Sequence, residues 1–350
     1  MVMRNILRAM LLSRKGIFFT FIAVLMVTVL LLFASTQYEV SYRDTVPTES
    51  LRITGINNFI TDFEKSYLER ALFASSHRAL AAIINATPNG AGGSRVTDIN
   101  AAFMEAMLNA TINDGTIVLP LMTNDTLPVW IERLSNASRK VLRVDLTFSI
   151  VSVNITQDEI TGPWLVNVSL SLDYRVNTTD TAWERRNVTV ITSFDIFGFD
   201  DPYLKFKTDS RLNRSILRFN FTGTNYLPEN LSDLINSTNF IYEPRAPSFL
   251  GRFTPFTDPD SRSSCCGIFS LVAGQHAAGL FSSNDRTYAD FTYLDSFCFD
   301  QKVFHVNGVS GSSGIGEFYL DGYFVDKVFS LPPNETMQVN DPEHGDACGP

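Results

Sequence analysis

The chain has 350 residues, a formal net charge of −9 and a pI near 5.0. Its 28 basic residues are dispersed rather than clustered, which argues against a nucleic-acid partner. An apolar fraction of 45% is ordinary for folded protein, and the length suffices for two domains.

The first 16 residues form a basic segment, expected to be cytoplasmic. Ile17 to Ser35 then runs for nineteen residues without a charge. As a helix it would be about 28 Å long, enough for the core of a bilayer. Arg4, Arg8, Arg14 and Lys15 precede it and no acid does, so the positive-inside rule places everything beyond Thr36 outside the cell. The expectation is a single transmembrane helix over 17–35, with the membrane as the first partner. Ser13-Arg14-Lys15-Gly16 followed by Ile17-Phe18-Phe19 resembles the class III signal peptide of archaeal type IV pilins and pilin-like surface proteins. That resemblance implies cleavage between Gly16 and Ile17, with the apolar helix kept on the mature protein. Phe21 stands where many pilins carry an acid, and Pro47 interrupts the long helix of a filament core.

Residues 36–49 read as a linker, and 50–239 as an α+β ectodomain. Ile53, Ile56, Ile60, Phe63, Tyr67, Ala71 and Ala74 recur at three- and four-residue steps, one apolar stripe of a long helix that ends before Pro88-Asn89-Gly90. Shorter helices are expected near 97–110 and 128–140. Three strands follow as an antiparallel meander. The second alternates strictly, with Val166, Val168, Leu170 and Leu172 against Asn167, Ser169, Ser171 and Asp173. The first slips phase at Ile150-Val151, which predicts a β-bulge. A helix near 228–238 closes this region.

The asparagines carry the most specific signal. Asn-x-Ser/Thr occurs at Asn85, Asn109, Asn124, Asn136, Asn154, Asn167, Asn177, Asn187, Asn213, Asn220, Asn230, Asn236 and Asn334, thirteen of the chain's 24 asparagines. Chance alone would give roughly four at this Ser and Thr content. The excess points to N-glycosylation of an exported chain.

From about 240 the texture changes: sequons stop until Asn334, aromatics rise and all four cysteines appear. Residues 240–350 are therefore expected to form a β-rich domain stapled by two disulfides. Cys265 and Cys266 are adjacent, so each is expected to pair with Cys298 or Cys348. No C-x-x-C spacing suggests zinc, and His276, His305 and His344 are scattered. No cofactor motif stands out, since Gly308 to Gly316 lacks the Lys-Ser/Thr of a P-loop. Asp290, Asp295, Asp300, Asp321 and Asp326 could offer a carboxylate pair or Ca²⁺ ligands, and Asp341, Glu343, His344 and Asp346 a cation site. Without diagnostic spacing, the first group reads as exposed strand-edge acids and the second as a solvated tail. The reading is a membrane-anchored, glycosylated surface protein with a structural, adhesive or assembly role, whose partners are other surface proteins or glycans. An exported, membrane-tethered hydrolase of glycan or peptide is the alternative.

Overall fold

A computed structural model describes residues 22–29, 48–86, 96–179, 181–208, 210–220, 228–254, 265–273, 286–290, 303–307, 317–334 and 336–339. The chain divides into two units, Met1–Phe63 and Glu64–Pro350.

The first unit contains α1 (22–29) and α2 (Thr48–Asp62). The expected transmembrane helix over 17–35 is corrected here: among the described residues no helix is long and apolar enough to cross a membrane. The rest of 17–35, with Gly16 and Ile17, lies outside the described residues. In α2, Ile56 and Ile60 are buried, whereas Ile53 at the head of the expected stripe is 47% exposed.

The expected long helix is interrupted by a π-helical turn, Phe63–Tyr67, before it continues as α3 (Leu68–Asn85). A π-turn adds a residue to one turn. Glu64 accepts a hydrogen bond from the Tyr174 hydroxyl, and the Tyr67 hydroxyl donates to the Trp130 carbonyl at 2.6 Å. Leu68, Leu72, Ala79, Leu80 and Ile83 form the buried face of α3. Asp98 caps α4 (Ile99–Asn109) by accepting from the main chain of Asn100 at 2.8 Å. A two-stranded hairpin, β1 (Thr111–Ile112) and β2 (Ile117–Val118), precedes α5 (Leu127–Leu142).

The meander is β3 (Asp145–Thr156), β4 (Leu165–Asn177) and β5 (Ala182–Asp195), in that order and antiparallel. The β3 register slips between Ile150 and Ser152, where the side-chain phase of the sequence slips. Val166, Val168, Leu170, Leu172 and Val176 are wholly buried. α3 packs on β4 and β5, and α4 and α5 pack on β3, so helices cover this face and leave the other polar. A second slip between Leu172 and Tyr174 puts a bulge in β5 at Asn187, whose φ of 52° suits an asparagine.

Beyond the meander come α6 (Pro202–Lys207) and α7 (Pro228–Ser237). A six-stranded sheet follows, ordered β11-β9-β10-β8-β7-β6. Its strands are β6 (Phe240–Tyr242), β7 (Ile268–Ala273), β8 (Arg286–Ala289), β9 (Val303–Val306), β10 (Glu317–Asp321) and β11 (Thr336–Val339). β10 runs parallel to β8, and the other pairings are antiparallel. Leu231, Leu234 and Ile235 of α7 share a core with Phe269, Phe324 and Phe329. Contacts cross position 240: the Phe240 N–H donates to Leu217 at 2.7 Å, and its carbonyl accepts from the Phe219 N–H at 2.8 Å.

The expected staple is also corrected. Cys265 bonds to Cys266, its neighbour in sequence, so this bridge closes no long loop. Cys298 and Cys348 lie outside the described residues.

Candidate functional site

All thirteen sequon asparagines are described and none is buried. Asn85, Asn109, Asn124, Asn136, Asn154, Asn187, Asn213, Asn220, Asn236 and Asn334 are exposed; Asn167, Asn177 and Asn230 are half-buried. They are spread over helices, strands and loops of the second unit. Asn154, Asn167 and Asn177 lie on the polar face of the meander, away from the helices. At Asn167 and Asn213 the amide nitrogen itself already donates a hydrogen bond. Asn167 Nδ2 donates to Asp158 Oδ2 at 3.0 Å, while its Oδ1 accepts from Ser193 Oγ at 2.6 Å. Asn213 Nδ2 donates to Asp200 Oδ2 at 2.9 Å.

The acids fall differently from expectation. Asp290 is fully buried and Asp321 is 6% exposed, so neither is an exposed strand-edge acid; Asp326 is exposed. Asp321 Oδ1 accepts from the Tyr323 N–H at 2.8 Å. Nearby, the Tyr323 hydroxyl donates to Glu243 at 2.6 Å, and the Arg245 guanidinium lies 4.5 Å above the Tyr323 ring. Burial, with the Glu243 hydrogen bond, pushes the Tyr323 phenol up to about 12. His305 lies on β9. Asp295, Asp300, Asp341, Glu343, His344, Asp346 and His276 lie outside the described residues.

The densest ionisable cluster centres on a residue the sequence did not single out. Arg252 is 1% exposed. Its Nε and Nη2 bond both oxygens of Asp201 at 2.8 and 2.7 Å, Nη2 also reaches Asp290 Oδ2 at 2.5 Å, and Nη1 donates to the Ile268 carbonyl at 3.0 Å. The guanidinium also lies 4.8 Å from the centre of the Tyr203 ring and 5.5 Å from that of Phe240. Asp201 is held in place as the cap of α6, accepting from the Tyr203 N–H at 3.1 Å. Asp290 accepts from the N–H and the hydroxyl of Ser270, both at 3.1 Å. Burial pushes the Asp290 carboxyl up, against the pull of Arg252. Arg214, beside them, donates to the Leu271 carbonyl at 2.8 Å, and burial lowers its pKa. Two guanidinium groups thus face two carboxylates in the interior, and the Arg252–Asp201 pair is bidentate.

This cluster holds structure together. Its carboxylates are spent on Arg252, on Ser270 and on the α6 cap. Among the described residues no group of three or more His, Cys, Asp or Glu is placed to hold a metal ion. No protein-family model matches the chain, and neither a curated protein nor a solved structure matches it.

Proposed function

We propose that the protein is an N-glycosylated protein of the cell exterior with a structural, adhesive or assembly role. The observation that carries this reading is the sequon set: about three times the chance number, with none of the thirteen asparagines buried. A transferase must reach the amide nitrogen, and a buried sequon would have counted against the reading. The polar face of the meander, with Asn154 and Asn177, supplies a surface that tolerates bulky hydrophilic additions. The engagement of Arg252, Asp201 and Asp290 in the interior favours a role that does not turn over a substrate. The resemblance of the Ser13–Gly16 segment to class III signal peptides fits an exported protein.

Intact-glycopeptide mass spectrometry of the protein from its native cells tests this reading. Hexose-bearing Asn is expected at several of the ten exposed sequons. Unmodified asparagine at every one of them overturns it.

A further inference from the structure

The meander has two edges, and they are finished differently. On the β3 edge the Ile155 N–H donates to Asn100 Oδ1 at 3.0 Å, and the Leu146 carbonyl accepts from Ser135 Oγ at 2.9 Å. Side chains of α4 and α5 thus cover that edge at two points. These contacts also reveal the phase of the ladder. In an antiparallel sheet, residue pairs alternate between those that exchange both hydrogen bonds and those that turn both groups away. Ile155 faces Asn100, so its pair with Val168 exchanges none. Val168 therefore turns to β5 and bonds its partner there, Thr192. The Ile196 N–H, donating to the Trp164 carbonyl at 3.0 Å, keeps the same phase. Ile191 and Ser193 must then point their N–H and C=O groups off the far edge of β5. Among the described residues β5 pairs with β4 alone, and none of those four groups meets another partner.

Proteins guard exposed edges with charges and bulges. The first half of β5 obeys that rule. Glu184, Arg185 and Arg186 are exposed, and the bulge at Asn187 is fixed by its N–H donating to Asp173 Oδ1 at 2.7 Å. The second half, Val188 to Phe194, has no charge, no proline and no bulge. This unguarded half borders a groove of about 790 Å³, whose other wall is the helical stripe Lys65, Ser66, Glu69, Arg70 and Phe73. The π-turn supplies Lys65 and Ser66 to that wall. Phe73 is 44% and Ile191 61% exposed, and neither Lys65 nor Arg70 is ion-paired to a described residue.

A groove between a helix and an unsatisfied strand edge is the geometry of β-strand addition. We propose that β5 receives a partner protein's extended segment, with alternating apolar and acidic side chains, as a fourth strand over Val188–Phe194. Side chains of an added strand alternate between two faces. One set falls beside Ile191 and is apolar. The other faces the helix stripe, where two cations outnumber Glu69, and is acidic. A second copy of β5 does not satisfy this site, because Val188–Phe194 carries no acid to meet Lys65 and Arg70.

The test uses the full-length protein and a fluorescent, acetylated and amidated octapeptide of alternating valine and aspartate, read by anisotropy. Saturable binding is expected. Arg70→Glu should weaken it by about tenfold, and Ser193→Pro by as much, because proline removes one edge donor and is tolerated at sheet edges. N-methylation of the peptide at every second residue should abolish binding in one phase and spare it in the other. Because Arg70 is exposed and peptide methylation leaves the protein untouched, the test survives a Ser193→Pro variant that fails to fold. Absence of saturation at millimolar peptide, equal binding of the two methylated peptides, or a protein that dimerises through β5 by itself would overturn the proposal. The glycosylation reading is untouched by any of these results, since the binding needs no glycan.

Discussion

Replacing Arg252 by methionine keeps the apolar stem and removes the guanidinium. Four hydrogen bonds to Asp201, Asp290 and Ile268 disappear, and two buried carboxylates lose the cation that lies against both. Breaking a buried ion pair from one side costs roughly 3–5 kcal/mol, chiefly the penalty of the stranded charge. That is a large part of the 5–15 kcal/mol that holds a typical domain, and at roughly 2 °C per kcal/mol it lowers the melting temperature by about 6–10 °C. Adding Asp290→Asn to the same chain should recover part of the loss by removing one stranded charge. Differential scanning calorimetry of the three proteins measures both effects. The pH dependence sharpens the test. A carboxyl whose folded pKa is raised binds its proton more tightly when folded, so folding gains as pH falls through the folded pKa towards the unfolded one, and loses as pH rises. Asp290 is such a group, and Arg252 is what restrains its rise. Without Arg252 the carboxyl moves further up, so the deficit of Arg252→Met should shrink from neutral pH to about pH 5. A melting temperature within about 2 °C of the parent, or a deficit independent of pH, would refute the network as the lock of this region.

Tyr323 should ionise late: its phenol is pushed up to about 12, so stability should fall as pH rises from about 10 through 12, with absorbance near 295 nm reporting the same late titration. Because Cys265 bonds its neighbour, reduction should cost only about 1 kcal/mol of loop entropy; non-reducing peptide maps should show both cysteines linked within one fragment, and a large loss of stability on reducing that bond alone would count against the pairing. Asn167→Leu removes a partner from Asp158 and from Ser193 and should destabilise by about 0.5–1.5 kcal/mol in chemical denaturation, whereas Asn136→Leu, on an exposed helix face, should not.

The meander was legible because a two-residue period and a one-sided burial are the same fact seen twice. Val166 to Leu172 must face the helices if the alternating polar residues face water, and the slip at Ile150-Val151 has no cheaper resolution than an extra residue in the strand. The helical stripe was legible in outline only. A π-turn uses the same residues and spacing as an α-turn, and what holds this one in place, Tyr174 on Glu64 and Trp130 on Tyr67, comes from 110 and 63 residues away.

The same distinction separates the two kinds of site. A sequon is three residues long, so its presence is complete in the sequence, and only its exposure waits on the fold. Arg252 is an arginine in an aromatic stretch, Phe249-Leu250-Gly251-Arg252-Phe253, and nothing local marks it as buried. Its carboxylates lie 51 residues before it and 38 after it. Asp290 looked like a surface acid because an isolated aspartate costs too much to bury; bringing Arg252 and Ser270 to it removes that objection. The open edge of β5 is more remote still. Val188 to Phe194 reads as an ordinary half-buried strand, and which of its residues turn their groups outward is read only through the register of the sheet, from the Ile155 N–H that donates to Asn100 two strands away. The open edge is therefore a property of the sheet order, which puts β5 last, and not of its residues, and what the proposed docking adds to it is the cationic helix stripe across the groove.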